Sequence, residues 1–364
     1  MLLHDNYYVI IGGCKVKCFA ESYEKLGLNM NKEVLKSIAE QMVAKGKGIL
    51  AADESNPTCK KRFDSVGVEC STETRRNYRQ ILISTENIED HLSGIILFDE
   101  TIRQKTDDDK PFVSVLNEKN ILPGIKVDTG AKDLALHPRE KATEGLEGLR
   151  DRLAEYREIG ASFAKWRSVI TIGENLPSQA CLRANAHGLA RYAALCQEAN
   201  FVPIVEPEVL INGDHNIEKC YEVTKKILKE LYKELIIQDV YLEGTILKAS
   251  MVIAGNKCPV QNTPEEIADM TVKCLKECVP TNVPGVMFLS GGQTEIQSTE
   301  HLNLMNSKYK DLPWKLSFSY GRAIQSPVLQ AWANGDDDNA KDLLRKRIKM
   351  NGLATLGQWN KDME

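Results

Sequence analysis

The chain has no CxxC pair and no group of histidines at ligand spacing, which removes the common zinc and thiol-redox frameworks. Its ten cysteines in 364 residues are too few for a disulfide scaffold. Cys14 with Cys18, and Cys274 with Cys278, stand four apart without companion histidines. Free thiols in a reducing, cytoplasmic setting are therefore expected. The six histidines are scattered; His187 reads as an ordinary helix residue and His215 lacks ligand spacing, so no metal is expected. No apolar run approaches the roughly 20 residues of a membrane span. Charge of one sign is also lacking: 47 Lys and Arg face 51 Asp and Glu, a net charge of -4, which argues against nucleic acid as the main partner. No internal repeat, low-complexity stretch or linker divides the chain beyond its N-terminal region. The GxGxxG fingerprint of a dinucleotide-binding sheet is missing too, because Ala51-Ala-Asp-Glu-Ser55 stands where it would fall.

What is present is a regular alternation. Short apolar runs that read as strands occur at Gly48 to Asp53, Ser93 to Glu100, Gly124 to Asp128, Ala161 to Ser168, Phe201 to Glu208, Tyr241 to Ser250, Gly285 to Gly292 and Lys315 to Arg322. Helix-length segments separate them, such as Ser178 to Asn200, Ile217 to Ile237 and Pro264 to Cys278, after a first amphipathic helix over Asn31 to Ala44. Eight strands alternating with helices predict parallel βαβ units closed into a single-domain (β/α)8 TIM barrel over 24–364. Residues 1–23 read as a flexible N-terminal extension; the apolar core Tyr7 to Ile11 is too short for a signal peptide, and Lys15 and Lys17 follow it. The basic residues of the last helix, Lys341, Arg345, Lys346, Arg347 and Lys349, read as a solvated face.

The predicted strands share a second property. Nearly every one ends in an ionisable or hydroxyl residue: Asp53, Asp99 with Glu100, Lys126 with Asp128, Lys165 with Arg167, Glu206 with Glu208, Lys248, Ser290, and Ser319 with Arg322. Residues i and i+2 of a strand face the same side, and barrels gather such residues at the C-terminal mouth, where their chemistry lies. Two lysines, Lys165 and Lys248, would thus share a pocket with the acids Asp53, Glu206 and Glu208. That mixture suits Schiff-base chemistry, in which a neutral amine attacks a carbonyl and an acid protonates the departing hydroxyl. Spacing leaves open which lysine is the nucleophile.

Anion binding is the second theme. Ser290-Gly291-Gly292-Gln293 and Ser319-Tyr-Gly321-Arg322 each follow a strand and lead into a helix, the arrangement that presents backbone N–H groups to a phosphate. Across the mouth, Ser55, Thr58, Lys61 and Arg62, with Lys126 and Arg167, could bind a second anion. A substrate with phosphates at both ends fits the two clusters. A transaldolase-like barrel has less use for two such clusters, and a non-catalytic scaffold has no need of the intact acid and lysine set.

Seven ordered stretches, Gly48-Ile-Leu-Ala-Ala-Asp-Glu-Ser55, Gly124-Ile-Lys-Val-Asp128, Phe163-Ala-Lys-Trp-Arg167, Ile204-Val-Glu-Pro-Glu208, Tyr241-Leu-Glu-Gly-Thr245 with Lys248, Leu289-Ser-Gly-Gly-Gln293 and Phe318-Ser-Tyr-Gly-Arg322, resemble class I fructose-1,6-bisphosphate aldolase. The resemblance implies a cofactor-free barrel that reversibly cleaves fructose 1,6-bisphosphate to dihydroxyacetone phosphate and glyceraldehyde 3-phosphate in glycolysis and gluconeogenesis. It implies Lys248 as the imine-forming residue, Glu206 as acid and base for imine formation, Lys165 as its assistant, Asp53 as the base for the C4 hydroxyl, and Glu208 as a hydrogen-bonding orienter beside Lys248. It further implies Ser290, Gly291, Ser319, Gly321 and Arg322 at the phosphate nearest the imine, and Ser55, Thr58, Arg62, Lys126 and Arg167 at the other. A homotetramer is implied, and some relatives bind actin or adhesin tails. The sequence departs from the family pattern in the extension and in stopping at Glu364 without the tyrosine-ended tail that protonates the carbanion. Without that tail, imine formation and cleavage are expected to survive while carbanion turnover slows.

Overall fold

The computed structural model describes residues 30–364, together with the backbone of 7–11 and 14–18. The latter form two strands, β1 (Tyr7–Ile11) and β2 (Cys14–Cys18), paired antiparallel. The remainder of the expected flexible extension, and with it the expectation itself, lies outside the described residues.

The eight expected strands are all present: β3 (Gly48–Ala52), β4 (Leu92–Leu97), β5 (Leu122–Lys126), β8 (Phe163–Ile170), β9 (Val202–Val209), β10 (Ile246–Ala249), β11 (Gly285–Phe288) and β12 (Lys315–Tyr320). They pair in parallel and close into a barrel in that order, β12 returning to β3. A short hairpin, β6 (Gly130–Asp133) with β7 (Lys141–Glu144), interrupts the series at the mouth. The helices are α1 (Lys32–Met42), α2 (Asn56–Asp64), α3 (Thr72–Ser84), α4 (Asp99–Ile102), α5 (Phe112–Glu118), α6 (Leu149–Ile159), α7 (Gln179–Glu198), α8 (Ile217–Ile237), α9 (Pro264–Cys278), α10 (Glu295–Lys308), α11 (Arg322–Ala333) and α12 (Asp337–Leu356). Local chemistry sets several starts. Thr263 and Thr294 cap α9 and α10 in reciprocal capping boxes with Glu266 and Gln297, and Pro264 opens α9 where no N–H is required.

Two layers of core result. Between barrel and helices lies the larger apolar cluster. Inside the barrel, Ile49, Ile96, Phe163, Val202, Ile204, Ile246 and Met287 fill the N-terminal half, and Leu35, Ala39 and Met42 of α1 plug it from below. Gly124 makes room for the Phe163 ring: a Cβ there would sit 2.2 Å from ring atoms. The inward positions further along these strands are polar, so the charged layer stands on an apolar floor that solvent does not reach.

Three expectations are corrected. The sixth strand begins at Ile246 rather than Tyr241, because Leu242–Gly244 form a 3₁₀ turn against α1 that leaves Gly244 close to Leu35. The second ends at Leu97; the chain turns into α4, so Asp99 pairs with Arg103 at 2.9 Å and Glu100 with Arg75 at 2.6 Å, both away from the mouth. The basic face of α12 is not uniformly solvated, since Arg347 is buried and its Nη2 donates to Thr299 Oγ1 at 2.7 Å.

Candidate active site

The strand alternation that lines the floor with apolar residues brings the next inward residues to the C-terminal mouth. On β8, Phe163 is followed two residues later by Lys165 and then Arg167; on β9, Ile204 is followed by Glu206 and Glu208. The parallel register pairs Lys165 with Ile204 and Arg167 with Glu206, which carries the two charged sets to the same level. Lys248 comes two residues after Ile246 on β10, and Asp53 two after Ala51 at the end of β3.

These side chains converge. Lys165 Nζ lies 2.6 Å from Asp53 Oδ2 and 3.6 Å from Glu206 Oε2. Lys248 Nζ lies 3.2 Å from Glu206 Oε1. Both lysines are 4% exposed and Glu206 is 3% exposed, so water screens the group little and the charges answer mainly to one another. Burial by itself would raise the Asp53 carboxyl, but the Lys165 and Lys248 side chains overcome it and hold that carboxyl far below its usual range. Burial likewise opposes the Lys165 ammonium, while Asp53, Glu206 and Asp128 outweigh it and raise Lys165 above the ordinary lysine value. Lys165 is thereby held as a cation clamped between two carboxylates. The Glu206 carboxylate bridges the two lysines, within reach to exchange a proton with Lys248.

Most residues expected at the mouth, though not Lys61, Asp99 or Glu100, line one cavity of about 390 Å³: Asp53, Lys165, Glu206, Glu208 and Lys248 at its base, Ser290, Gly291, Ser319, Gly321 and Arg322 on one wall, and Ser55, Thr58, Arg62, Lys126 and Arg167 on the other. On the first wall, Gly291 and Gly292 take φ of +58° and +91°, a left-handed pair that glycine adopts without strain and that turns successive N–H groups to one side. Ser319 Oγ is buried without a hydrogen-bond partner among the described residues, a donor left over by the fold. Gly321 caps α11, whose N-terminus opens on this wall. Arg322 is exposed and makes no ion pair among the described residues. On the second wall the arginines are already engaged: Arg62 pairs with Glu54 and Arg167 with Glu208. Lys126 lies 3.6 Å from Asp128, and Ser55 Oγ lies 3.2 Å from Thr58 Oγ1.

The placement differs from expectation in detail. Lys61, proposed beside Arg62, is exposed on α2 and absent from the cavity lining. The Glu208 carboxylate is held by Arg167 Nε. Two ionisable lining residues were not singled out as site residues. Asp128 accepts from the Arg167 backbone N–H at 3.3 Å; its i+2 spacing from Lys126 was the available signal. Glu54 faces outward from β3, and strand alternation gave no reason to count it. Among the described residues no group of three or more His, Cys, Asp or Glu could hold a metal ion.

The family model described as "Fructose-bisphosphate aldolase class-I" matches residues 34–364. A protein of Xanthomonas campestris pv. campestris named "Probable fructose-bisphosphate aldolase class 1" is 56% identical over 333 residues, 91% of this chain and 99% of that protein. "Fructose-bisphosphate aldolase C" of Rattus norvegicus is 48% identical over 342 residues, 93% of this chain and 94% of its own length. Among solved structures, fructose-bisphosphate aldolase from Plasmodium falciparum, in complex with TRAP and a small-molecule inhibitor, superposes with a TM-score of 0.89 at 43% identity, covering 91% of this chain and 97% of that one.

Proposed function

Because the chain belongs to the class I fructose-bisphosphate aldolase family and is an enzyme of that kind, we propose that Lys248 forms the imine with the substrate carbonyl and that Lys165 stays an ammonium throughout. The contrast between their counter-ions carries this reading. Lys165 faces two carboxylates that stabilise its proton, whereas among the described residues Lys248 forms an ion pair with Glu206 alone, and only a neutral amine attacks a carbonyl.

The proton steps follow from the distances. Glu206, 3.2 Å from Lys248 Nζ, carries a proton from the nitrogen to the C2 oxygen as the nitrogen bonds to C2 of fructose 1,6-bisphosphate, then carries a second from the nitrogen to the resulting C2 hydroxyl, which leaves as water. The imine draws electrons from the C3–C4 bond. Asp53, kept ionised beside Lys165, removes the C4 hydroxyl proton; the bond breaks, and glyceraldehyde 3-phosphate departs. The enamine left on Lys248 gains a proton at C3, and water then attacks the imine to free dihydroxyacetone phosphate and restore the amine. Ser290, Ser319, the Gly291 and Gly321 backbone and Arg322 hold the phosphate nearest the imine; Ser55, Thr58, Arg62, Lys126 and Arg167 serve the other. Glu208 acts on this second wall through Arg167.

Borohydride added with dihydroxyacetone phosphate should fix the triose on Lys248, read by peptide mapping; labelling of another lysine, or loss of activity with EDTA, contradicts the reading. Action in glycolysis and gluconeogenesis, a cytoplasmic location and a homotetrameric assembly belong to the same proposal, the last checked by light scattering on the eluted protein. Since the Plasmodium falciparum neighbour is described with TRAP, binding of an adhesin tail or actin is a separate proposal. A pull-down that persists in Lys248→Met would make that role independent of catalysis.

A further inference from the structure

Glu54 follows Asp53, and strand alternation turns its side chain away from the barrel axis into the layer between β3 and helices α2, α3 and α11. It is buried there, and its carboxylate is divided among three partners. Oε2 lies 2.7 Å from Arg79 Nη2, a guanidinium enclosed on α3. Oε1 accepts from Gln325 Nε2 of α11 at 2.9 Å and from Arg62 Nη1 of α2. Gln325 Nε2 also donates to Ala51 O at 2.6 Å, and Tyr78 OH donates to Gln325 Oε1 at 3.2 Å. Burial opposes the charge on Glu54, but Arg79 and Arg62 hold its carboxyl below the ordinary range.

One of these ties ends at the cavity, and a second runs behind its wall. Arg62 lines the second anion wall, and Gln325 stands three residues beyond Arg322, in the first turn of the helix whose N-terminus forms the first wall. Arg79 stands behind the barrel as a second counter-ion, so Glu54 is anchored independently of Arg62. One carboxylate thus joins α2, α3, α11 and the end of β3, so a change at Glu54 reaches all four.

We propose that Glu54 is a positioning residue that fixes the separation of the two anion walls, and thereby the preference for a substrate with phosphates at both ends. The inference rests on the imine reading, since it is the carbonyl anchored at Lys248 that sets where the second phosphate falls. Glu54→Gln keeps the size and an acceptor for Gln325 but weakens the hold on Arg62. The KM for fructose 1,6-bisphosphate should rise about tenfold, the scale of one lost charge-assisted contact. The KM for fructose 1-phosphate should change less than about twofold, and kcat for the bisphosphate should move less than its KM. Combined with Arg62→Ala, the KM effects should be non-additive, because Glu54 acts through that arginine. Glu54→Asp, which keeps a carboxylate for Arg79 while withdrawing one methylene from Arg62, should show the same selectivity to a lesser degree and guards against a Glu54→Gln protein that fails to fold. Equal KM rises for both sugars, an unchanged or lowered bisphosphate KM, or additive effects overturn the proposal. Borohydride trapping run alongside separates the causes: a flat KM ratio with trapping on Lys248 overturns the positioning role alone, while no trapping in the wild-type protein overturns the imine reading and this inference with it.

Discussion

Asp53→Asn separates carbon–carbon cleavage from imine formation. The Asp53 carboxylate lies 2.6 Å from Lys165 Nζ, with side-chain exposures of 13% and 5%, so the pair interacts with little solvent screening. Removing one partner of a buried ion pair costs about 3–5 kcal/mol of stability. Here Glu206 remains as a counter-ion at 3.6 Å, and asparagine still offers Lys165 an acceptor; the expected loss is therefore about 1–2 kcal/mol, which leaves the protein folded. The chemical loss is larger. Asparagine cannot take a proton from the C4 hydroxyl, and a positioned general base contributes about 10²–10⁴-fold to a rate, which corresponds to about 2.7–5.4 kcal/mol of barrier. Cleavage of fructose 1,6-bisphosphate, followed through a coupled triose phosphate assay, should fall by that factor. Trapping of dihydroxyacetone phosphate on Lys248 by borohydride involves no C4 hydroxyl and should stay within about tenfold of wild type. Cleavage retained within tenfold, or trapping lost in step with cleavage in a folded protein, would refute the assignment of Asp53 as the base.

Ser319→Ala should leave the stability of the ligand-free protein within about 0.5 kcal/mol in urea denaturation, because the hydroxyl it removes has no partner. The same change should raise KM for fructose 1-phosphate and the bisphosphate alike by about tenfold; a selective effect on the bisphosphate would move Ser319 to the other wall. Gly124→Ala places a Cβ 2.2 Å from the Phe163 ring and should destabilise the fold by about 1–3 kcal/mol through overpacking, measured by thermal and chemical denaturation; a neutral result would mean that the floor beneath Lys165 is loosely packed. The pH dependence of stability has a definite sign. The depressed Asp53 carboxyl stabilises the fold above its unfolded value, about 3.9, and loses that contribution as pH falls through the folded value; the raised Lys165 stabilises below its unfolded value, about 10.4, and loses it as pH rises through the folded one. The stability difference between wild type and Lys165→Met should thus be flat from about pH 5 to 9 and shrink above about pH 10.4. A difference that shrinks already between neutral pH and about pH 9 would contradict the clamped ammonium.

The alternation of apolar runs and amphipathic segments was legible in the chain itself, because burial on both faces of a parallel strand leaves a continuous apolar signature. The bounds of α8 and α9 follow from periodicity and capping residues alone. So did most of the mouth, since the i, i+2 pairs Lys165 with Arg167 and Glu206 with Glu208 cannot be accommodated in a barrel core and must face an opening. Where the reading failed, long-range packing had prevailed over local pattern. The run from Tyr241 looks like strand as far as Ser250, yet α1 presses Leu242–Gly244 into a turn. Asp99 and Glu100 look like strand-end acids but turn outward to Arg103 and Arg75.

Residue type and spacing by themselves determined the eight-stranded plan, the acid and lysine set and most of the polar residues around the cavity, because strand periodicity assigns each side chain to a face regardless of its partners. What only the tertiary structure decided is who stands next to whom. Lys165 and Lys248 are equivalent as sequence features; one pairs with Asp53 at the end of β3 and with Glu206 from β9, the other among the described residues pairs with Glu206 alone, and that difference arises from the register of strands distant in the chain. Glu54 is the plainest case. As the neighbour of Asp53 it belongs to the wrong face of the strand, and its significance depends on Arg79 and on Gln325, 271 residues away, which only the closing of the barrel brings to the same carboxylate.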